Sequence, residues 1–268
     1  MSLESQAPSR APSDPTERLF SCKRLPIRYL VIPKCGCTFV KNLIWTIDNS
    51  ENYHFPARIH ERDADFARPS NFGVTASDIR REEYSFVVLR NPVDRFLSLY
   101  FDKVAGEGHK RFVPLRKVLI DKRNLESSPT LAREHLRNCN ILIDWIEENL
   151  ASKIDLQPDP HWTPQKYRFG IIRDLNLKVL TLNGLESKLA LLISDIVPHA
   201  RSLMSGIERY SSNSSFKTNE VLDKQIKAKI NSVYERDRDV FEHVRDLWRD
   251  LSPGSGLEIP RASDLFQN

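Results

Sequence analysis

Apolar residues recur along this chain in two rhythms. Three short runs are almost continuously β-branched, aromatic or aliphatic: Ile27 to Ile32, Tyr84 to Leu89 and Lys178 to Leu182. Runs of that length and composition predict buried strands, the first of them ended by Pro33. Elsewhere the spacing is helical. Phe39, Val40, Leu43, Ile44 and Ile47 predict a helix over Thr38 to Asn49 with one buried face. Thr75 and Asp78 stand at capping-box spacing before a short helix, Ala76 to Glu82. Pro92 opens a helix reaching about Val104, with Phe96, Leu99, Tyr100 and Lys103 on one stripe and Asn91, Asp94, Arg95 and Ser98 on another. Further helices are expected over Val113 to Asp121, Thr130 to Leu150, from beyond Gly184 to Ser194, and from Thr218 to Leu251 with a break near Arg236. Pro158, Pro160 and Pro164 exclude regular structure around His161 and Trp162, and Val197 to Lys217 reads as a Ser-rich loop. Strands alternating with helices predict an α/β fold, a parallel sheet flanked by helices on both faces. One domain is expected over residues 19–251, after a Pro- and Ser-rich disordered segment (1–18) and before a C-terminal tail (252–268).

Composition narrows the function. The chain has 268 residues, 40% hydrophobic and 28% charged, in the range of a globular α/β protein. Its net charge of +4 suits an anionic ligand or polyanionic acceptor, and is too small to argue for nucleic acid. No apolar run approaches the roughly 20 residues of a membrane span. The absence of an apolar leader and the free-thiol pattern lead us to expect a cytoplasmic protein. Cys35 and Cys37 are not at zinc spacing and no second pair accompanies them, so no metal is expected. At a helix N-terminus beside a lysine, these thiols should have lowered pKa values. We read them as small residues that let the loop approach a ligand, ahead of a catalytic-thiol role.

The chemistry concentrates where strands feed helices. The turn Lys34-Cys35-Gly36-Cys37-Thr38 joins the first strand to its helix. Such a turn aims unpaired backbone N–H groups and the helix dipole at one spot, and Lys34 adds a full charge, making an anion site. It is not the ATP-binding loop, whose lysine follows the last glycine. Arg90 stands at the carboxyl end of the second strand, with Ser98 two helical turns beyond Asn91, and this pair can hold a second phosphate. Two anion sites on adjacent strand ends suit a ligand phosphorylated at two places.

These stretches, VIPKCGCTFVKNL and FVVLRNPVDRFLSLYF, resemble the two cofactor motifs of sulfotransferases that use 3′-phosphoadenosine 5′-phosphosulfate (PAPS), most closely the carbohydrate (type 2) branch. The resemblance implies a P-loop-kinase-like sheet. It also implies that Lys34, Cys35, Gly36, Cys37 and Thr38 cradle the 5′-phosphosulfate, that Phe39 closes the loop, and that Arg90 and Ser98 bind the 3′-phosphate. Cys37 departs from the more usual Ser or Thr. Weaker likenesses follow in Asp159 to Gln165 (DPHWTPQ), Lys178 to Leu192, Asn213-Ser214-Ser215 and Tyr234 to Phe241, so that the resemblance covers roughly residues 25 to 245.

By that resemblance the acceptor is a carbohydrate or glycolipid hydroxyl, and a lipid-linked acceptor would bring peripheral membrane contact. Lys34 would stabilise the leaving phosphate and a histidine would take the hydroxyl proton. His54 and His60 lie between the motifs; His60 is the favoured base, with Glu61 or Asp63 as substitutes. His54, His161 and Trp162 are candidates for substrate contact, Trp162 by stacking, and the remaining histidines for surface or structural roles. Arg95 is expected in an ion pair with Asp94 or Glu82. The run Lys110, Arg111, Arg116, Lys117, Lys122, Arg123 is expected to be a solvated face or, second, a site for an acidic glycan. Two other classes stay open: a kinase-like nucleotide phosphotransferase, and a non-catalytic polyanion-binding protein.

Overall fold

The three apolar runs lie side by side in the computed structural model of the chain, which describes residues 14–105, 110–152, 155–208, 218–251 and 258–266. A short edge strand, β1 (Leu19–Ser21), precedes β2 (Arg28–Leu30), β3 (Ser85–Leu89) and β4 (Lys178–Thr181). The sheet order is β1-β2-β3-β4, with β2, β3 and β4 parallel and β1 antiparallel to β2. Tyr29 faces Phe86 and Val87 faces Val179 across the parallel ladders. All residues of the four strands are buried, which is why they read as unbroken apolar runs. The sheet is therefore mixed rather than wholly parallel. Only a tight turn separates β1 from β2, closed by Cys22 N–H donating to the Ile27 carbonyl at 3.0 Å, and such a link can only bring strands together antiparallel.

Helices α1 (Cys37–Asn49), α2 (Ala76–Arg81), α3 (Pro92–Leu99), α4 (Val113–Arg123) and α5 (Ala132–Leu150) follow the expected pattern closely. The capping box of α2 is formed by Thr75 and Asp78. The helix opened by Pro92 widens over Tyr100–Val104 into a π turn. The prolines around His161 are followed by a 3-10 turn, Gln165–Arg168, and by α6 (Phe169–Asp174), then α7 (Leu185–Ile193). The stretch expected to be loop contains α8 (Ala200–Ser205), whose Ala200 and Met204 are buried. The last helical region divides into α9 (Thr218–Val221), α10 (Lys224–Val233) and α11 (Glu235–Asp250), breaking at Tyr234.

Described residues of both proposed tails take regular structure. Of the segment read as disordered, residues 1–13 lie outside the described residues, while Pro15–Arg18 form a 3-10 turn capped by Asp14. Of the C-terminal tail, residues 252–257 and 267–268 lie outside them, as do Asn213-Ser214-Ser215 and His109. The remainder packs: Val179 N–H donates to the Pro260 carbonyl at 2.8 Å, and α12 (Ala262–Leu265) buries Ala262. Among the described residues no helix is long and apolar enough to cross a membrane.

Two apolar clusters carry the fold. One surrounds the sheet and takes in Val40, Leu43 and Ile44 of α1, Leu189 of α7 and Val240 and Val244 of α11. The other joins α3, α4, α5 and α10 through Phe96, Leu99, Leu119, Trp145, Ile146 and Ile230. Helix α3 turns its apolar stripe into this second cluster. Its other stripe, with Arg95 and Ser98, is left beside the carboxyl ends of β2 and β3.

Candidate active site

The first loop is built by strain and close packing. Ile32 accepts from Cys35 N–H at 3.3 Å, with Pro33 and Lys34 between them and Lys34 at φ 68°. That is the pattern of a type II turn, whose third position favours glycine. A lysine in this conformation costs on the order of 1–2 kcal/mol, strain of the kind held at functional sites. Gly36 begins α1 at φ 79°, and a Cβ there would lie 2.7 Å from Leu182 Cδ1 and 3.2 Å from Leu185 Cδ2. The first N–H groups of α1 follow, with no carbonyl within the helix to receive them.

Arg90 joins the two junctions. Its Nη1 donates to the Lys34 carbonyl at 2.9 Å. Gln165 fixes its backbone, donating from Nε2 to the Arg90 carbonyl at 2.9 Å and accepting from Arg90 N–H at 3.1 Å. The same amide oxygen accepts from Cys35 Sγ at 3.3 Å. Gln165 is held in turn by buried Asp237 of α11, which accepts from the backbone N–H groups of Gln165 and Lys166 at 2.6 and 2.7 Å. Tyr234 Oη donates to the Trp162 carbonyl at 2.6 Å. The downstream elements noticed in the sequence therefore brace the two strand-helix junctions. Arg95 does the same, and not through the ion pair expected of it. Its guanidinium donates to the carbonyls of Pro33 (3.2 Å), Thr163 (3.0 Å) and Pro160 (2.7 Å).

A cleft of about 1040 Å³ opens above these loops. Lys34, Gly36, Cys37, Thr38, Phe39, Arg90 and Ser98 line it, together with His60 and His161. Cys35 does not; it is fully buried. Burial pushes its thiol up to about 12 against the opposing pull of Arg95 and Arg90. The expected reactive thiol is thus a protonated core residue, because desolvation outweighs the nearby positive charge. Two other candidates do not line the cleft. His54 is exposed and stands outside the cleft wall. Trp162 is 4% exposed, packs edge-on against Trp145 with ring centroids 5.4 Å apart, and donates from Nε1 to Asn149 Oδ1 at 2.8 Å. It is a core residue rather than a stacking platform, since both its apolar body and its N–H are already engaged.

Acidic and basic partners that single-residue reading overlooked complete the site. Lys34 Nζ meets Asp102 Oδ2 at 2.5 Å, and Lys103 Nζ meets the same oxygen at 3.0 Å. Burial lowers the Lys34 pKa while Asp102 opposes the shift. Asp102 lies in the π turn, four residues beyond Ser98, and that helical spacing was the available signal. Lys41, fully buried on α1, donates to Asp63 Oδ1 at 2.5 Å and to His60 Nδ1 at 2.8 Å. His60 Nε2 is 3.0 Å from Thr38 Oγ1, so the 3-10 segment Pro56–Asp65 touches the first loop through this ring. The His60 pKa is lowered by desolvation first, then by Lys41, Lys103, His161 and Lys34. Of the basic run, Arg111 reaches the cleft wall and pairs with Asp159 at 2.5 Å, whereas Lys122 pairs with Asp155 and Arg123 with Glu148.

Among the described residues no group of three or more His, Cys, Asp or Glu side chains could hold a metal ion. The model of a family described as the sulfotransferase family matches residues 17–243. No curated protein and no solved structure matches the chain.

Proposed function

Because the chain belongs to the sulfotransferase family, we propose that it transfers a sulfuryl group from PAPS to a hydroxyl of a carbohydrate or glycolipid. The observation that carries the donor reading is the Arg90–Lys34 bridge. It ties both strand-helix junctions into one cleft lined by Lys34, Thr38, Arg90 and Ser98. These side chains offer cations and hydroxyls, the donor set that phosphate and sulfate oxygens require. The residues suit a nucleotide carrying anionic groups at two positions, the 5′ group over the first loop and the 3′-phosphate at Arg90 and Ser98.

When bound, PAPS supplies a sulfuryl group on a phosphate leaving group. In this reading Lys34 exchanges Asp102 for the phosphate oxygen on which charge grows, and the α1 N–H groups add fixed positive potential. Arg90 and Ser98 orient the nucleotide. The acceptor class rests on the likeness of DPHWTPQ and its neighbours to the carbohydrate branch.

Calorimetric titration with adenosine 3′,5′-bisphosphate, beside adenosine 5′-monophosphate and ATP, tests the donor site. Micromolar binding that depends on the 3′-phosphate is expected, and Arg90→Ala should erase most of the preference over the monophosphate. Equal binding of the monophosphate, or stronger binding of ATP with magnesium, would overturn the reading.

A further inference from the structure

Two histidines face the cleft, and their ring nitrogens are engaged in opposite senses. An ammonium has only donors, so Lys41 Nζ, 2.8 Å from His60 Nδ1, fixes that nitrogen as the acceptor. The His60 proton then sits on Nε2 and points at Thr38 Oγ1, 3.0 Å away. Neither nitrogen of His60 is left with a lone pair toward the cleft.

His161 is arranged the other way. Its Nδ1 is 2.6 Å from Asp159 Oδ1, and a carboxylate can only accept. The proton therefore belongs to Nδ1 and the lone pair to Nε2. Asp159 is itself anchored: Oδ1 also accepts from His161 N–H at 2.9 Å, and Oδ2 accepts from Arg111 Nη2 at 2.5 Å. Phe112 meets the imidazole edge-on with centroids 4.9 Å apart. Arg95 holds the carbonyls of Pro160 and Thr163 on either side of it. The side chain is 19% exposed and lines the same cleft as Lys34, Thr38, Arg90 and Ser98.

We infer that His161, oriented by Asp159, is the general base that takes the acceptor's hydroxyl proton, and that His60 is a donor bracing the first loop. The assignment rests on the sulfuryl-transfer reading above. The hydroxyl oxygen bonds to sulfur as the bond from sulfur to the 5′-phosphate oxygen breaks. That bond's electron pair leaves with adenosine 3′,5′-bisphosphate, and the hydroxyl proton goes to His161 Nε2 and then to solvent through the cleft mouth. Asp159 is a positioning residue that holds the Nδ1–H tautomer, leaving the lone pair on Nε2, and stabilises the imidazolium as it forms. Desolvation lowers the His161 pKa, with Lys103 and Arg111 acting in the same direction and Asp159 opposing them. The ring is thus neutral near pH 7 and able to accept a proton.

The test is nitrogen NMR of the full chain labelled in its histidine rings, with and without adenosine 3′,5′-bisphosphate. His161 should show a protonated Nδ1 and a bare Nε2, His60 the reverse. Asp159→Asn should disturb the His161 tautomer while leaving bisphosphate affinity within about twofold. His161→Asn should lower the rate of PAPS consumption, with water as the probe acceptor, by about 100-fold or more. Calorimetric bisphosphate binding serves as the control that each variant is folded. A protonated Nε2 on His161 at neutral pH, or an unchanged rate in His161→Asn that still binds bisphosphate, would overturn the base assignment alone. Failure of the unaltered protein to bind bisphosphate would instead remove the donor reading on which it rests.

Discussion

Replacing Gly36 by alanine isolates what the first loop requires of its backbone. At φ 79° an alanine pays the left-handed penalty, about 1–2 kcal/mol. The new Cβ would also stand 2.7 Å from Leu182 Cδ1 and 3.2 Å from Leu185 Cδ2. Leu182 is partly exposed and can rotate away; Leu185 is buried, so part of the overlap persists. Overpacking of this kind costs about 1–3 kcal/mol. Together these give a destabilisation of about 2–5 kcal/mol, or a fall in Tm of about 4–20 °C for a chain of this size. A displaced loop that forfeits one charge-assisted hydrogen bond should bind bisphosphate about 10- to 100-fold more weakly. Urea unfolding of Gly36→Ala, Leu182→Ala and the double variant separates the two contributions. The pair should show a favourable coupling of about 1 kcal/mol, because Leu182→Ala removes the closest contact. Strict additivity would refute the steric account, and full stability of Gly36→Ala would refute the loop conformation itself.

Three further outcomes follow from the same geometry. Cys35 and Cys22, both buried and pushed up to about 12, should resist iodoacetamide in the folded protein at pH 7.5 and react in urea, as read by peptide mass spectrometry; rapid labelling of folded Cys35 would contradict its burial. Desolvation, then Lys41 and the other nearby cations, hold the folded His60 pKa below its ordinary value of 6.5, so the unfolded chain binds more protons as pH falls through 6.5, by a modest amount because the residue is exposed. Stability should therefore fall as pH drops from 6.5, and His60→Asn should flatten part of that slope in denaturant titrations at pH 7.5, 6 and 5. Lys34→Ala should lower the rate of PAPS consumption by about 100-fold or more while changing bisphosphate affinity far less, and an equal loss in both would assign Lys34 to binding alone.

Much of the fold was legible because its signals are local. Strands buried on both faces must be apolar throughout, and helices with one buried face must repeat at the helical period. The loop from Lys34 to Thr38 and the junction at Arg90 could be read for the same reason, since a strand, a turn and a helix N-terminus are contiguous in the chain. The π turn at Tyr100–Val104 and the short helix Ala200–Ser205 carried no such signal and emerge from packing.

Residue type misled where burial had the deciding vote. Cys35 stands beside cations, yet desolvation governs its thiol. Trp162 lies among prolines in a polar stretch, yet Trp145, Asn149 and Tyr234 enclose it. Arg95 has acids nearby in sequence, yet its five donors meet three carbonyls from distant turns.

The amino-acid sequence by itself determined the three parallel strands, most of the helices, the two strand-helix junctions and the family. Each is written in residues within a few positions of one another. Only the tertiary structure decided the partners: Asp102 on Lys34, 68 residues away, Arg111 on Asp159, 48 residues away, and Lys41 on His60. A histidine's role depends on which nitrogen is left with a lone pair. That is set by groups brought to it through folding, which residue identity and spacing along the chain do not specify.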